Sequence, residues 1–215
     1  SDRSDARVVR LNAEMFPVSE TERRLLDLYG VTPIEIEAAR PEQIIPHVRD
    51  AEAVCVVSAK LPAEVVDSLD SCKLISRIGN GTDRIDVAQA TERGIIVSNS
   101  PYFCVPEMSD HIMAMILALA RQLPSQARHM AAGAYRDGRN EAVHMQRLSS
   151  QVLGIVGFGA TGPEVARRAK GFGFEVLATR KNMNASRQEA DELGVVQQPA
   201  VAAVAAVAAV AAVAA

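Results

Sequence analysis

Short apolar runs and amphipathic stretches alternate along the first hundred residues. Residues 7–11 form a strand candidate. Residues 20–29 read as a helix carrying Leu25, Leu26 and Leu28 as its apolar bulk, ended by Gly30. Residues 31–36 alternate apolar and polar positions like a strand. A short helix over 41–49 has proline near its start, where no helical hydrogen bond is lost. Residues 53–57 (AVCVV) are an unbroken apolar run, the pattern of a buried parallel strand. A helix over 62–69, a strand over 74–78, a helix over 85–93 and a strand over 95–97 continue the rhythm. Strands separated by helices at this spacing predict a parallel α/β sheet.

Residues 106–123 predict the longest helix. Pro106 sits in its first turn and Pro124 is expected to end it. Met108, Ile112, Met115 and Leu119 recur at helical spacing and mark an expected core face. Residues 125–147 are polar and mixed, the composition of a connector with one short helix. A second α/β unit starts near Leu148. Residues 201–215 are five Val-Ala-Ala repeats; a period of three fits neither a helix stripe nor a strand face and carries no functional reading.

The pattern richest in chemistry lies in that second unit. Val152 to Val156 (VLGIV) leads into Gly157-Phe-Gly159-Ala-Thr-Gly162, then a helical stretch, then a second apolar run ending at Thr179-Arg180-Lys181. A G-x-G-x-x-G loop between strand and helix, with a strand following, is a dinucleotide fingerprint. Gly157 allows the tight turn, Gly159 leaves room for the pyrophosphate, and Gly162 lets the helix pack close to the strand. The helix N-terminus offers backbone donors and partial positive charge. Pro163 is tolerated there because first-turn N–H groups have no intrahelical acceptor. Loops that select NAD end the second strand with Asp or Glu for the ribose 2′-hydroxyl. Here Arg180 holds that position, followed by Lys181, and a guanidinium pairs with a 2′-phosphate. The expected cofactor is therefore NADP(H), with NAD(H) the alternative.

Composition sets the remaining bounds. The 215 residues are 48% apolar, enough for one large core or two small ones. A net charge of −3 gives no reason to expect nucleic acid or an anionic membrane surface. Cys55, Cys72 and Cys104 are widely spaced and lack a C-x-x-C pair, which argues against a disulfide framework or a metal site and for a reducing, cytoplasmic setting. The polar start (Ser1-Asp-Arg-Ser-Asp-Ala-Arg) is unlike a signal peptide, and the apolar tail is shorter than the roughly 20 residues a membrane span needs.

Four segments resemble one family, the D-isomer-specific 2-hydroxyacid dehydrogenases, which include the phosphoglycerate dehydrogenases. Arg77-Ile-Gly79-Asn80-Gly81-Thr-Asp83-Arg-Ile-Asp86 is similar to the family's R-x-G-x-G-x-D-N-I-D turn. Gly94-Ile-Ile-Val97-Ser-Asn99-Ser-Pro101 resembles its G-I-x-V-x-N-x-P strand. Cys104-Val-Pro-Glu107-Met-Ser-Asp110-His111 and the helix to Arg121 resemble the helix linking its two domains. Leu148 to Ala178 resembles the opening of its cofactor domain. The likeness covers roughly residues 50–196; the first fifty residues fit only loosely.

The resemblance implies an α/β chain with a flavodoxin-like substrate domain (1–100), a linking helix and connector (101–147) and the first half of a Rossmann-like cofactor domain (148–198), followed by the low-complexity tail (199–215). It implies hydride transfer between NAD(P)H and a 2-keto or 2-hydroxy acid. Gly79 and Asn80 would offer backbone N–H groups to the substrate carboxylate, and Asn80 would also lie near the nicotinamide. Ser58-Ala59-Lys60 stands where the family's other substrate loop lies, and Lys60 would attract an anion. Gly157, Gly159, Ala160, Thr161 and Gly162 would hold the pyrophosphate, with Arg180 and Lys181 at the adenosine ribose. His111 is expected to pack its helix. His47, His129 and His144 match no catalytic motif. The family's catalytic Arg, Glu and His lie past Val196, so no catalytic residue is visible here, and more or different sequence is expected after Gln198. Family members usually pair through their cofactor domains, so a homodimer is expected. The alternative is a dinucleotide-sensing protein without turnover, like the family's corepressors, whose counterpart of Cys104 to His111 is not far different.

Overall fold

The computed structural model describes residues 6–182 and 186–199; the Val-Ala-Ala repeats lie outside them. The chain divides into two compact units on either side of the Phe103–Cys104 bond.

The first unit runs β1 (Val8–Leu11), α1 (Glu20–Asp27), β2 (Ile34–Ile36), α2 (Pro41–Val48), β3 (Ala53–Val56), α3 (Ala63–Asp67), β4 (Leu74–Arg77), α4 (Val87–Glu92) and β5 (Ile96–Ser98). The strands form one parallel sheet in the order β2-β1-β3-β4-β5. This is the flavodoxin-like order, with its switch point between β1 and β3. Val9 and Leu11 on β1, Val54 and Val56 on β3 and Ile75 on β4 are fully buried against Ile44 and Val48 of α2 and Val65 and Val66 of α3. Each such side chain contributes about 1.5–3 kcal/mol on leaving water.

Helix α1 departs from expectation. It buries no residue, and Leu25, Leu28 and Tyr29 are exposed. Polar contacts hold it instead. Ser19 and Glu22 form a reciprocal capping box at its N-terminus. Arg10, buried on β1, donates to the Phe16 carbonyl and to Glu22 Oε1, each at 3.1 Å.

The second unit runs α5 (Val105–Ala120), α6 (Leu123–Ala131), α7 (Tyr135–Ala142), a 3-10 turn (Leu148–Ser150), β6 (Val152–Val156), α8 (Thr161–Gly171), β7 (Glu175–Thr179), α9 (Gln188–Glu192) and β8 (Val196–Gln197). The described strands form a parallel sheet in the order β6-β7-β8, one half of a doubly wound fold. Phe158, Val165, Ala166, Ala169, Phe174, Val176 and Ala178 make its core, joined by Met113, Ile112 and Ile116 of α5.

Three expectations are corrected here. Pro124 does not end α5: the break comes at Gln122, in the left-handed conformation (φ 52°), and Pro124 sits in the first turn of α6. Residues 125–147 hold parts of two helices rather than one. The core face of α5 is not Met108, Met115 and Leu119, which are exposed; Ser109 and Met113 are buried, with Ile112 and Ile116 packed on the core. A helix apolar around most of its circumference does not disclose which side its neighbour covers.

The turn from β6 into α8 is set by close approach. A Cβ on Gly162 would stand 2.7 Å from the Gly157 carbonyl oxygen. Gly162→Ala is therefore expected to lower stability by about 1–3 kcal/mol through overpacking, although alanine is the better helix former by about 1 kcal/mol. Gly171→Ala on the same helix meets nothing within 4 Å and should stabilise by roughly 0.5–1 kcal/mol. Urea unfolding of the two variants checks both signs.

Glu22 gives a pH dependence. Burial pushes its carboxyl up, but the hydrogen bonds with Ser19 and the charge of Arg10 outweigh this and hold its pKa below the ordinary glutamate value. A depressed folded pKa gives stability present above the unfolded value of about 4.3 and lost as pH falls through the folded one. Glu22→Gln should thus lose less stability than the parent between about pH 6 and pH 3, read as the difference in urea midpoints. Parallel acid limbs would refute the assignment.

Candidate functional site

In the second unit, strand β6 delivers the glycine loop. The Gly157 N–H donates to the Thr179 carbonyl (2.9 Å), extending the β6–β7 ladder by one residue. Gly157 then turns at φ +104°, a conformation L side chains rarely adopt. A Cβ on Gly159 would point into open space, the room an approaching phosphate needs. Phe158, buried between the two glycines, pins the loop to the core. Ala160 caps α8 and makes no side-chain hydrogen bond to the first-turn N–H groups of that N-terminus. Glu164 in the first turn is turned away: it pairs with Arg167 at 3.1 Å and Arg168 at 2.7 Å, and Arg168 also pairs with Asp110 of α5 at 2.7 Å. Room, backbone donors and a neutralised acid together fit a pyrophosphate.

At the end of β7, beside the loop, Arg180 is half-buried and Lys181 exposed. The Arg180 guanidinium donates to the Ser186 carbonyl and, at 3.3 Å, to Gln197 Oε1 of β8. These bonds fix a cation at the strand end. Gln197 carries no motif and was not expected there.

In the first unit, the other expected residues lie on loops at the carboxyl ends of β3 and β4. The Gly79 N–H, expected to face a substrate, donates to the Arg77 carbonyl at 2.9 Å, and the Gly79 carbonyl accepts from the Ser100 N–H. Asn80 is exposed; its carbonyl accepts from Asn99 Nδ2 at 2.7 Å, and its N–H makes no hydrogen bond among the described residues. The Ser58 and Ala59 N–H groups both donate to Oδ1 of Asn12, at 2.9 and 2.8 Å. The Ser58 carbonyl accepts from Arg84 Nη1 at 2.7 Å. Lys60 is exposed and lines a recess of about 290 Å³ with Leu61, Pro62 and residues 83–86. Asn12 and Arg84 escaped the sequence reading. Arg84 had a signal, since it replaces the asparagine of the R-x-G-x-G-x-D-N-I-D turn; Asn12 had none, its partners being 46 and 47 residues away.

Elsewhere, His111 is exposed on α5 and does not pack its helix. His129 pairs with Glu141 (3.0 Å), which also accepts from Ser125 (2.7 Å), joining α6 to α7. The Ser125 hydroxyl above all, then His129, holds the Glu141 carboxyl below its ordinary pKa. Among the described residues no His, Cys, Asp and Glu group could hold a metal ion, and no helix is long and apolar enough to cross a membrane.

The family model for the D-isomer specific 2-hydroxyacid dehydrogenase catalytic domain matches residues 13–215, taking in α1, β2 and α2 ahead of residue 50. The D-3-phosphoglycerate dehydrogenase of Archaeoglobus fulgidus is 32% identical over 183 residues, 83% of this chain and 33% of that protein. The glyoxylate reductase of Pyrococcus furiosus is 33% identical over 167 residues, 74% of this chain and 48% of that protein. The chain thus spans between a third and a half of the length of these relatives. Among solved structures, D-lactate dehydrogenase from Aquifex aeolicus, complexed with NAD and lactic acid, superposes with a TM-score of 0.73 at 22% identity, over 89% of this chain and 55% of that one. Fold, glycine loop and sequence match agree, and the chain belongs to the D-isomer specific 2-hydroxyacid dehydrogenase family.

Proposed function

We propose that the chain supplies the cofactor and substrate grips of an oxidoreductase that moves hydride between NADP(H) and a 2-keto or 2-hydroxy acid. The observation that carries this is the Gly157–Gly162 loop: an open cradle at Gly159 beside an α8 N-terminus that no side chain caps. Gly157, Gly159, Ala160, Thr161 and Gly162 would hold the pyrophosphate, and Asn80 would lie near the nicotinamide. The nicotinamide, when bound, gives or takes the hydride. The chain's own residues bind and orient: Asn80 through its N–H, Ser58 through its hydroxyl and Lys60 through its charge would hold the acid, with Gly79 shaping the turn. His129 is engaged by Glu141 and no other histidine sits at these loops, so the proton-handling residues of the family are assigned to none of the chain's own histidines. Residues 1–100 act as the substrate domain, 101–147 as linker and 148–198 as the opening of the cofactor domain.

The preference for NADP(H) rests on Arg180 and Lys181 standing where a carboxylate would select NAD(H). Free thiols at Cys55, Cys72 and Cys104 fit a reducing cytoplasm. Exposed Met115, Leu119, Leu123, Met130 and Val143 on α5, α6 and the end of α7 suit a homodimer contact.

Two measurements test this. Fluorescence titration should give NADPH a Kd well below that of NADH, and Arg180→Ser should weaken NADPH about ten- to a hundredfold with little effect on NADH. Equal or tighter NADH binding rejects the preference. Oxamate, a non-reducible 2-keto acid analogue, should bind the NADPH-loaded chain; cofactor binding with no response to oxamate would favour a dinucleotide sensor. For the dimer, Leu119→Glu should convert the sedimenting species to monomer, with a melting temperature that no longer rises with protein concentration; an unchanged dimer would reject the contact.

A further inference from the structure

We propose that Asn12 and Arg84 are positioning residues that lock the Ser58–Lys60 loop, so that the loop meets an anionic substrate through Lys60 and not through the backbone N–H groups of Ser58 and Ala59. This rests on the functional reading above for the loop's role.

The switch point between β1 and β3 is where ligands gather in this sheet order. Asn12 follows β1 directly and Ser58 lies two residues past β3. Asn12 is 5% exposed and adopts φ 62°, a left-handed conformation that asparagine tolerates better than most residues. That twist aims its side chain across the switch point, where Oδ1 accepts two successive N–H groups. Both lone pairs of the oxygen are then used, and neither N–H is left for a carboxylate.

The far side of the loop is held from the turn after β4. Arg84 Nη1 grips the Ser58 carbonyl. The Leu61 N–H donates to the Arg84 carbonyl at 2.8 Å, and the Asp86 N–H donates to the Leu61 carbonyl at 2.9 Å. The Ser58, Ala59 and Leu61 N–H groups around Lys60 are therefore committed, while its side chain is exposed on the recess. Of the acids lining that recess, Asp86 is engaged in capping Gln89 at 3.0 Å; Asp83 and Arg84 line it as well, and the Arg84 guanidinium is spent on the Ser58 carbonyl. A rigid loop presenting one ammonium suits a small monocarboxylate.

The test separates latch from ligand. Asn12→Gly keeps the left-handed backbone and removes only the acceptor, while Asn12→Asp restores an acceptor. Amide hydrogen exchange at Ser58 and Ala59 should speed at least about tenfold in Asn12→Gly and return toward the parent rate in Asn12→Asp. Oxamate affinity for the NADPH-loaded chain should fall about tenfold in Lys60→Met and in Asn12→Gly, with the double variant no weaker than Lys60→Met alone. Unchanged exchange, or additive losses of affinity, would overturn the proposal. If the parent binds oxamate and the variants bind it equally, the Lys60 contact and the positioning roles fall together while the functional reading stands. If the parent fails to bind oxamate, the functional reading falls and the Lys60 assignment with it, whatever the exchange rates.

Discussion

Parallel pairing is the constraint from which the rest follows. It needs a crossover between successive strands, so each strand is followed by a helix and all carboxyl ends in a sheet share one edge. In the first unit that edge carries Asn12, Ser58 and Asn80 after β1, β3 and β4; in the second it carries Gly157 and Arg180 after β6 and β7. Residues far apart in sequence become neighbours without any of them needing to be hydrophobic. The apolar core can then be dense and ordinary, while chemistry is confined to loops that Ala59 and Phe158 anchor to it.

Charged side chains do some of the fastening that apolar ones do elsewhere. Helix α1 rides on Arg10 and a capping box rather than on leucines. Helix α8 is tied to α5 through Arg168, which reaches Asp110 and Glu164 together. A buried arginine is an expensive choice unless it is paired, and Arg10 offsets the cost by giving Nε to a backbone carbonyl and Nη1 to a carboxylate. The arrangement fixes direction as well as contact, which a leucine face could not do.

The sequence disclosed what depends on neighbours along the chain. The AVCVV run, the proline-led α2 and the strand–glycine loop–helix order were legible because strand burial, helix starts and tight turns are local properties. The buried side of α5 was not: Met108, Met115 and Leu119 keep helical spacing yet face out, because the choice of face is made by β6 and α8. Nor was the second connector helix, since Pro124 serves a helix start as well as a helix end. At the candidate site, the glycines were legible by motif, whereas the grip of Asn12 on Ser58 and Ala59 spans the whole β1–β3 crossover and leaves no trace in either local sequence.

Arg180 illustrates a coupling between selectivity and architecture. The same guanidinium that stands beside the glycine loop also ties the Ser186 carbonyl and Gln197 to the end of β7. A carboxylate here would reverse the local charge, and Gln197, 6% exposed, would have to meet it with its Nε2 donors in place of its Oε1 acceptor. A change at this position is therefore felt in β8 as well as beside the loop, because one side chain carries the charge and holds the neighbouring strand.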